Sequence, residues 1–219
     1  MPAFLRTRLA RFARDQRGVA FVEFALILPL FIGVTVGGVE IANLMLVNMR
    51  VQRLATQMAN LIAQRGASQR PLSEDQVYDV LAAMDVAAQP LNIRRDGRVV
   101  LSAVLGEDTN ADRVADVSRI KWQRFDGGLT SATPSIGCWS TSTRGTLRNN
   151  RQLSLNETYF HAQVTVRYRP IFINVLSYLQ VPDTVTRSAA FRGRGSTFRD
   201  VLSVEGFPPK QDCASATGL

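Results

Sequence analysis

Histidine and cysteine are nearly missing from this chain: one His, His161, and two Cys, Cys138 and Cys213, in 219 residues. A structural or catalytic zinc site needs three or four clustered Cys, His or carboxylate ligands, so no metal centre is expected. Histidine-assisted nucleophilic catalysis also lacks a framework. His161 opens a strand-like stretch, and no Ser, Thr or Cys stands at a motif spacing from a base. A glycine-rich phosphate loop is missing too, because Gly193-Arg194-Gly195-Ser196 has neither the spacing nor the lysine. The opening Asp108-Thr109-Asn110-Ala111-Asp112, with Asp116 beyond, is similar to the start of a calcium loop. Arg113 replaces the required Gly, however, and no Glu fills the twelfth position. An acidic hairpin loop between two strands is the preferred reading there. The expectation is therefore no cofactor, no metal and no enzyme.

Acidic residues are scarce at the N-terminus. Residues 1–18 hold five arginines (Arg6, Arg8, Arg11, Arg14, Arg17) against Asp15, which places half of the formal +8 charge in that basic leader. The remaining surplus is spread over the rest of the chain, with no basic run and no nucleic-acid fold signature, which argues against nucleic acid as a partner. Charge is almost absent from the next twenty-one residues, VAFVEFALILPLFIGVTVGGV (Val19–Val39), interrupted only by Glu23 and Pro29. As a helix this stretch rises about 31 Å, roughly the thickness of a bilayer's hydrocarbon core. The flanking arginines predict a cytoplasmic N-terminus and export of everything beyond the span. A cleaved secretory signal is the competing explanation. The apolar run is long for that role, no small-x-small site follows, and VEIANLML continues a helical pattern. In an oxidising compartment Cys138 and Cys213 read most simply as one disulfide.

Beyond the span the pattern turns from all-round apolar to striped without a helix breaker. Leu44, Val47, Val51, Leu54, Met58 and Leu61 recur three and four apart, flanked by Ala55 and Ile62, with polar residues such as Asn48, Arg53 and Gln57 on the other faces. One helix over 19–65 is expected, membrane-inserted over 19–39 and ended by Gly66. Its stripe packs either on the chain's own domain or on a helix of another chain. Ser73 and Gln76 form a capping-box pattern opening a second helix, with Val77, Val80, Leu81, Met84 and Ala88 as its buried face. Period-two patterns then predict strands at 98–105, after an Asp-Gly turn at 96–97, and at 117–125, 161–170 and 185–194. Alternation implies an antiparallel sheet with the helical stripe covering one face. Segment 126–152 reads as a long surface loop anchored by Cys138, and 205–219 as an irregular tail held through Cys213. The whole is an α+β single-pass protein with its long N-terminal helix packed on an antiparallel sheet: a leader over 1–18, the long helix over 19–65 and an extracytoplasmic domain over 66–219.

Gly18-Val19 with Glu23 has the arrangement of a class III signal. Cleavage after Gly18 frees the amine of Val19, largely cationic at neutral pH. Glu23 of one subunit then neutralises the amine of the next at similar depth. A carboxylate in the bilayer costs of order 2–3 kcal/mol, which assembly offsets. The alternative is an uncleaved anchor whose Glu23 sits near the interface beside Arg17. Pro29 is either a bend that suits fibre packing or a tolerated membrane-helix proline.

The stretch GVAFVEFALILPLFIGVTVGGVEIANLMLVN resembles the N-terminal motif of the TadE/TadG-like proteins of Tad (Flp) pilus systems, through Gly18, the EFAL of Glu23–Leu26, Pro29 and Glu40. The late sequences VTVRYRP and RSAAFRGR look more loosely like the family's terminal strands. The resemblance implies a minor pseudopilin in the bacterial inner membrane, matured by a prepilin peptidase, with other pilins or pseudopilins and an inner-membrane assembly platform as partners. An uncleaved accessory or binding protein of the same machinery is the second reading. The metal signature of the von Willebrand-like domain in longer members is lacking, since Asp116-Val117-Ser118 runs into Arg119 and Ile120.

Overall fold

The computed structural model describes residues 18–66, 71–140, 143–172, 182–193 and 197–219. All of the basic leader except Gly18 lies outside the described residues. The described chain divides into two compact units: residues 18–43 with 170–172, and those within 44–169 and 182–219. A single helix, α1 (Val19–Gly66), enters both. It runs unbroken for 48 residues and ends at the expected glycine.

In the second unit α1 buries Val47, Val51, Leu54, Ala55, Met58, Ala59, Ile62 and Ala63. Leu61, expected on this stripe, is instead 42% exposed, and Ala59 and Ile62 take its place. A straight helix drifts about 20° per heptad against a strict 3.5-residue pattern. The buried line therefore moves around α1 towards its C-terminus and leaves Leu61 behind. Helix α2 (Glu74–Ala87) starts after Ser73 as expected, but the Ser73 side chain makes no cap. The first free N–H of α2, on Glu74, donates to the Leu202 carbonyl at 3.0 Å, so a distant segment does the capping. Val77, Leu81 and Met84 are buried, Ala88 is buried just past the helix end, and Val80 is half-buried.

The Asp-Gly pair at 96–97 is not a turn between strands. Asp96 closes a one-turn helix, α3 (Ile93–Asp96), capped by Asn92 accepting from the Arg95 N–H, and Gly97 is already extended with φ −133°. Four strands follow: β1 (Gly97–Glu107), β2 (Val117–Asp126), β3 (Thr158–Arg167) and β4 (Thr184–Arg192). They form one antiparallel sheet in the order β2-β1-β3-β4. Strand β1 is buried along nearly its whole length and β3 nearly so, so both faces of the sheet's centre are covered.

Register explains which side chain meets which cover. On one face lie Val99, Leu101 and Ala103 of β1 opposite Val164, Ala162 and Phe160 of β3. The helices close this face, with Arg124 of β2 reaching Glu74 of α2 through a buried ion pair. On the other face lie Val100, Ser102 and Val104, opposite Gln163, His161 and Tyr159. A register shift between Ala103 and Val104 leaves Lys121 as the extra residue of β2. The bulge breaks the simple alternation expected for 117–125. Trp122 pairs with Ala103 and stacks near Phe160 on the helix side, while Ile120 pairs with Val104 on the opposite side.

That opposite side is closed by the segment 126–152, expected to be a surface loop, together with Leu153 just beyond it. Ile136, Leu147 and Leu153 are buried in one cluster with Val104, Ile120 and Tyr159. Buried amides fix the segment in place. Gln123 donates to the Gly137 carbonyl and accepts from the Trp139 N–H, while Gln163 donates to the Thr133 carbonyl and accepts from the Ser135 N–H. Composition rich in Gly, Ser and Thr concealed three widely spaced apolar anchors. The same segment continues along the outer edge of β2, where the Ile120 N–H donates to Thr143 and the Gly145 N–H to Ser118.

Candidate functional site

The first half of α1 shows apolar side chains on every side. Phe21, Phe24, Leu26, Leu30, Phe31 and Val34 are all at least 60% exposed. No residue of its most apolar 18-residue window is buried. A helix apolar all round and covered by nothing suits hydrocarbon rather than water, and α1 is long and apolar enough to cross a membrane. Polar groups here are tied back to the helix: the Thr35 hydroxyl donates to the Phe31 carbonyl at 2.8 Å. The helix continues through Pro29, whose ring nitrogen has no proton to donate to the carbonyl four residues earlier.

Glu23 is exposed on this apolar surface and has no ion pair or hydrogen bond among the described residues. Gly18 is exposed at the helix start, and a Cβ built on it would meet nothing within 4 Å. Glu40 is different. It is 1% exposed, and its Oε2 accepts the backbone N–H groups of Ile171 at 3.0 Å and Phe172 at 3.1 Å. The carboxylate thus binds the chain just beyond Pro170 to α1 within one unit. Charge-assisted bonds of this kind are about twice as strong as neutral ones, and they offset the desolvation of the buried acid. Its sequence position at the outer end of the apolar run was legible, but this partner segment was not.

Cys138 and Cys213 are bonded to each other, with Cα atoms 6.1 Å apart, inside the usual range for a disulfide. The tail is held by more than this bond. The Phe125 N–H donates to the Lys210 carbonyl, Lys210 pairs with Asp126 at 2.7 Å, and the Tyr78 hydroxyl donates to the Pro208 carbonyl. Arg98, 1% exposed in β1, is the clamp that sequence reasoning missed. It donates to the carbonyls of Gly127, Cys213 and Ser215 and lies over the Phe125 ring, 5.1 Å from its centroid. Burial lowers the pKa of its guanidinium. An Arg in an apolar strand pattern reads as a solvated edge position, and only the fold turns it inward.

The acidic stretch after β1 uses its own carboxylates. Asp108 accepts the N–H groups of Asn110, Ala111 and Arg113, and Asp116 accepts from Thr109. It is a self-bonded loop joining β1 to β2. Among the described residues no group of three or more His, Cys, Asp or Glu is placed to hold a metal ion. His161 sits in β3, 6% exposed, its Nδ1 buried without a partner. Desolvation lowers its pKa to about 4, so it is neutral at physiological pH.

Together these features define a class: a chain with one N-terminal helix fit to span a membrane and an antiparallel α+β unit beyond it. Within that class, residues 18–60 match the family model described as TadE-like protein. The match starts at Gly18, contains Glu23, Pro29 and Glu40, and extends through most of the α1 stripe. It agrees with the resemblance, read from those residues, to the TadE-like proteins of Tad pilus systems. No curated protein and no solved structure matches the chain.

Proposed function

We propose that this protein is a minor pseudopilin of a Tad-type pilus. It is inserted in the bacterial inner membrane through 19–39, with its N-terminus in the cytoplasm and the second unit outside. The observation that carries the reading is the coincidence of the TadE-like match with a helix half exposed on all sides whose lone acid, Glu23, has no partner among the described residues. An exposed carboxylate in hydrocarbon is unfavourable by of order 2–3 kcal/mol unless a cation meets it. The amine released by cutting after Gly18 is such a cation, and it lies at the depth of Glu23 in a neighbouring subunit. The open backbone around Gly18 suits close approach of a prepilin peptidase. Other pilins or pseudopilins and an inner-membrane platform then surround α1.

Intact-mass measurement of the membrane-extracted protein, from cells with and without the peptidase, tests the processing step. Loss of residues 1–18 only where the peptidase is present is expected. A full-length chain in both strains replaces this reading with an uncleaved accessory protein. Glu23→Ala is expected to insert normally but reduce pilus formation, and unchanged pili would refute the charge pairing.

A further inference from the structure

The two edges of the sheet are treated unlike. The outer edge of β2 is closed by the chain itself: Ile120 bonds Thr143, Ser118 bonds Gly145, and Phe125 bonds Lys210. Strand β4 pairs with β3 on one side, and among the described residues nothing pairs with it on the other. It is nine residues long and mostly exposed, and Ser188-Ala189-Ala190 gives its middle little side-chain bulk. An uncovered strand of that length presents alternate N–H and C=O groups as a template for another chain.

A cavity of about 1070 Å³ runs along this edge, lined by residues 186–190 of β4. Its lining also includes Arg148, Arg151, Tyr159 and His161, together with Gln52 of α1. Among the described residues no acidic side chain lines it. Arg148, Arg151 and Arg187 form no ion pair among the described residues, whereas Arg192, further along β4, is paired with Glu157. Arg151 lies over the Tyr159 ring at 4.7 Å, which fixes its guanidinium in the wall. The His161 ring brings a buried nitrogen without a hydrogen-bond partner to the same cavity. Register puts Arg187 opposite Val164, on the helix side of the sheet, and His161 on the side of Arg148 and Arg151. Successive side chains of an added strand point to opposite faces, so both groups of cations are within reach of one strand.

We propose that the β4 edge and its cavity receive an extended acidic peptide segment of a partner protein, added as a fifth strand. Its backbone bonds β4. Carboxylates on one face meet Arg148 and Arg151 beside His161, and those on the other meet Arg187 and Gln52. This surface does not depend on cleavage after Gly18 or on membrane insertion of α1.

The test uses the full chain in detergent and fluorescence anisotropy of an eight-residue Glu-Thr peptide of two Glu-Glu-Thr-Thr repeats, which carries carboxylates on both faces of a strand. Comparators are the Lys-Thr peptide, the Glu-Thr peptide N-methylated along either edge, and an oligogalacturonate of equal charge. The Glu-Thr peptide is expected to bind at least tenfold tighter than the Lys-Thr peptide, the oligogalacturonate and the form N-methylated along the edge that meets β4, while N-methylation along the other edge leaves binding unchanged. Arg148→Glu and Arg187→Glu are each expected to weaken it at least tenfold. Arg113→Glu, which makes the same charge change on the β1–β2 loop, is expected to leave it unchanged. Near-ultraviolet circular dichroism establishes that each variant is folded. Equal binding when both edges are N-methylated in turn would refute strand addition. Equal binding of the oligogalacturonate would make the cavity an anionic-glycan site instead. Equal losses from Arg113→Glu and Arg148→Glu, or no peptide binding at all, would remove the proposal.

Discussion

Acidification should weaken the second unit through one residue, because the chain has one histidine and it is buried. His161 is held neutral in the fold, its pKa lowered from 6.5 to about 4 by desolvation. The unfolded chain binds a proton near pH 6.5, and the folded chain does not until about pH 4. Between those values the unfolded state carries more protons, so stability falls as pH falls. Each unit of pKa difference corresponds to about 1.4 kcal/mol. The complete loss therefore approaches about 3 kcal/mol, a large part of the stability of a domain this size. Urea unfolding of the detergent-solubilised chain, followed by the fluorescence of Trp122 and Trp139, gives stability at steps from pH 7 to pH 4. His161→Gln cannot titrate, so the slope across this window should flatten by about 1 kcal/mol per unit relative to the native chain. The carboxylates of Asp96, Glu107 and Asp116, all held below their ordinary values, lose their contributions at lower pH and do so equally in both chains. Equal slopes in the two proteins, or a nuclear magnetic resonance titration of the His161 ring near pH 6.5, would refute the argument.

Two further outcomes follow from the packing. Glu74→Gln leaves Arg124 buried and charged without its carboxylate. It should cost about 3–5 kcal/mol, read as a lower urea midpoint, whereas replacing the pair by Met at both positions should cost far less. Cys138→Ser releases a closure of 75 residues. A loop-entropy estimate gives about 4 kcal/mol, and unchanged thermal unfolding under oxidising conditions would show that the tail is fixed by Arg98 and Lys210 alone.

The legible part of the fold was what rests on local periodicity. The long helix, the second helix and four strands follow from spacings of three and four or of two. Boundaries failed where burial is two-sided. Strand β3 begins at Thr158 rather than 161 because Thr158, Tyr159 and Phe160 are all buried and a strand covered on both faces does not alternate. The bulge at Lys121 was invisible because one extra residue changes faces without changing composition. The cover over the second sheet face hung on Ile136, Leu147 and Leu153, each isolated among polar residues. The inward turns of Arg98 and Arg124 depend on partners 115 and 50 positions away, and no local window contains such information. At the N-terminus Gly18 and Glu23 stand out in the sequence because the contrast is local, a glycine and an acid against twenty-one apolar residues, and the family match over 18–60 contains both.

The two acids of α1 make the sharpest contrast in the molecule. Glu23 and Glu40 stand seventeen positions apart on one helix, about 26 Å along its axis. A carboxylate removed from water must be met by donors or cations. Glu40 is met within its own chain, by two N–H groups of the segment after Pro170, so it is an element of the folded monomer. Removing it should detach that segment and act on stability whether or not a fibre forms. Glu23 is met by nothing among the described residues, and the surface around it is entirely apolar. A charge left open in such a place destabilises the isolated inserted chain and favours any state that supplies a cation. On the proposed function, stability of the monomer is therefore expected to respond to Glu40 and assembly to Glu23. On that reading, a helix that carried only Glu40 would anchor and fold, but would have no electrostatic reason to find a neighbour.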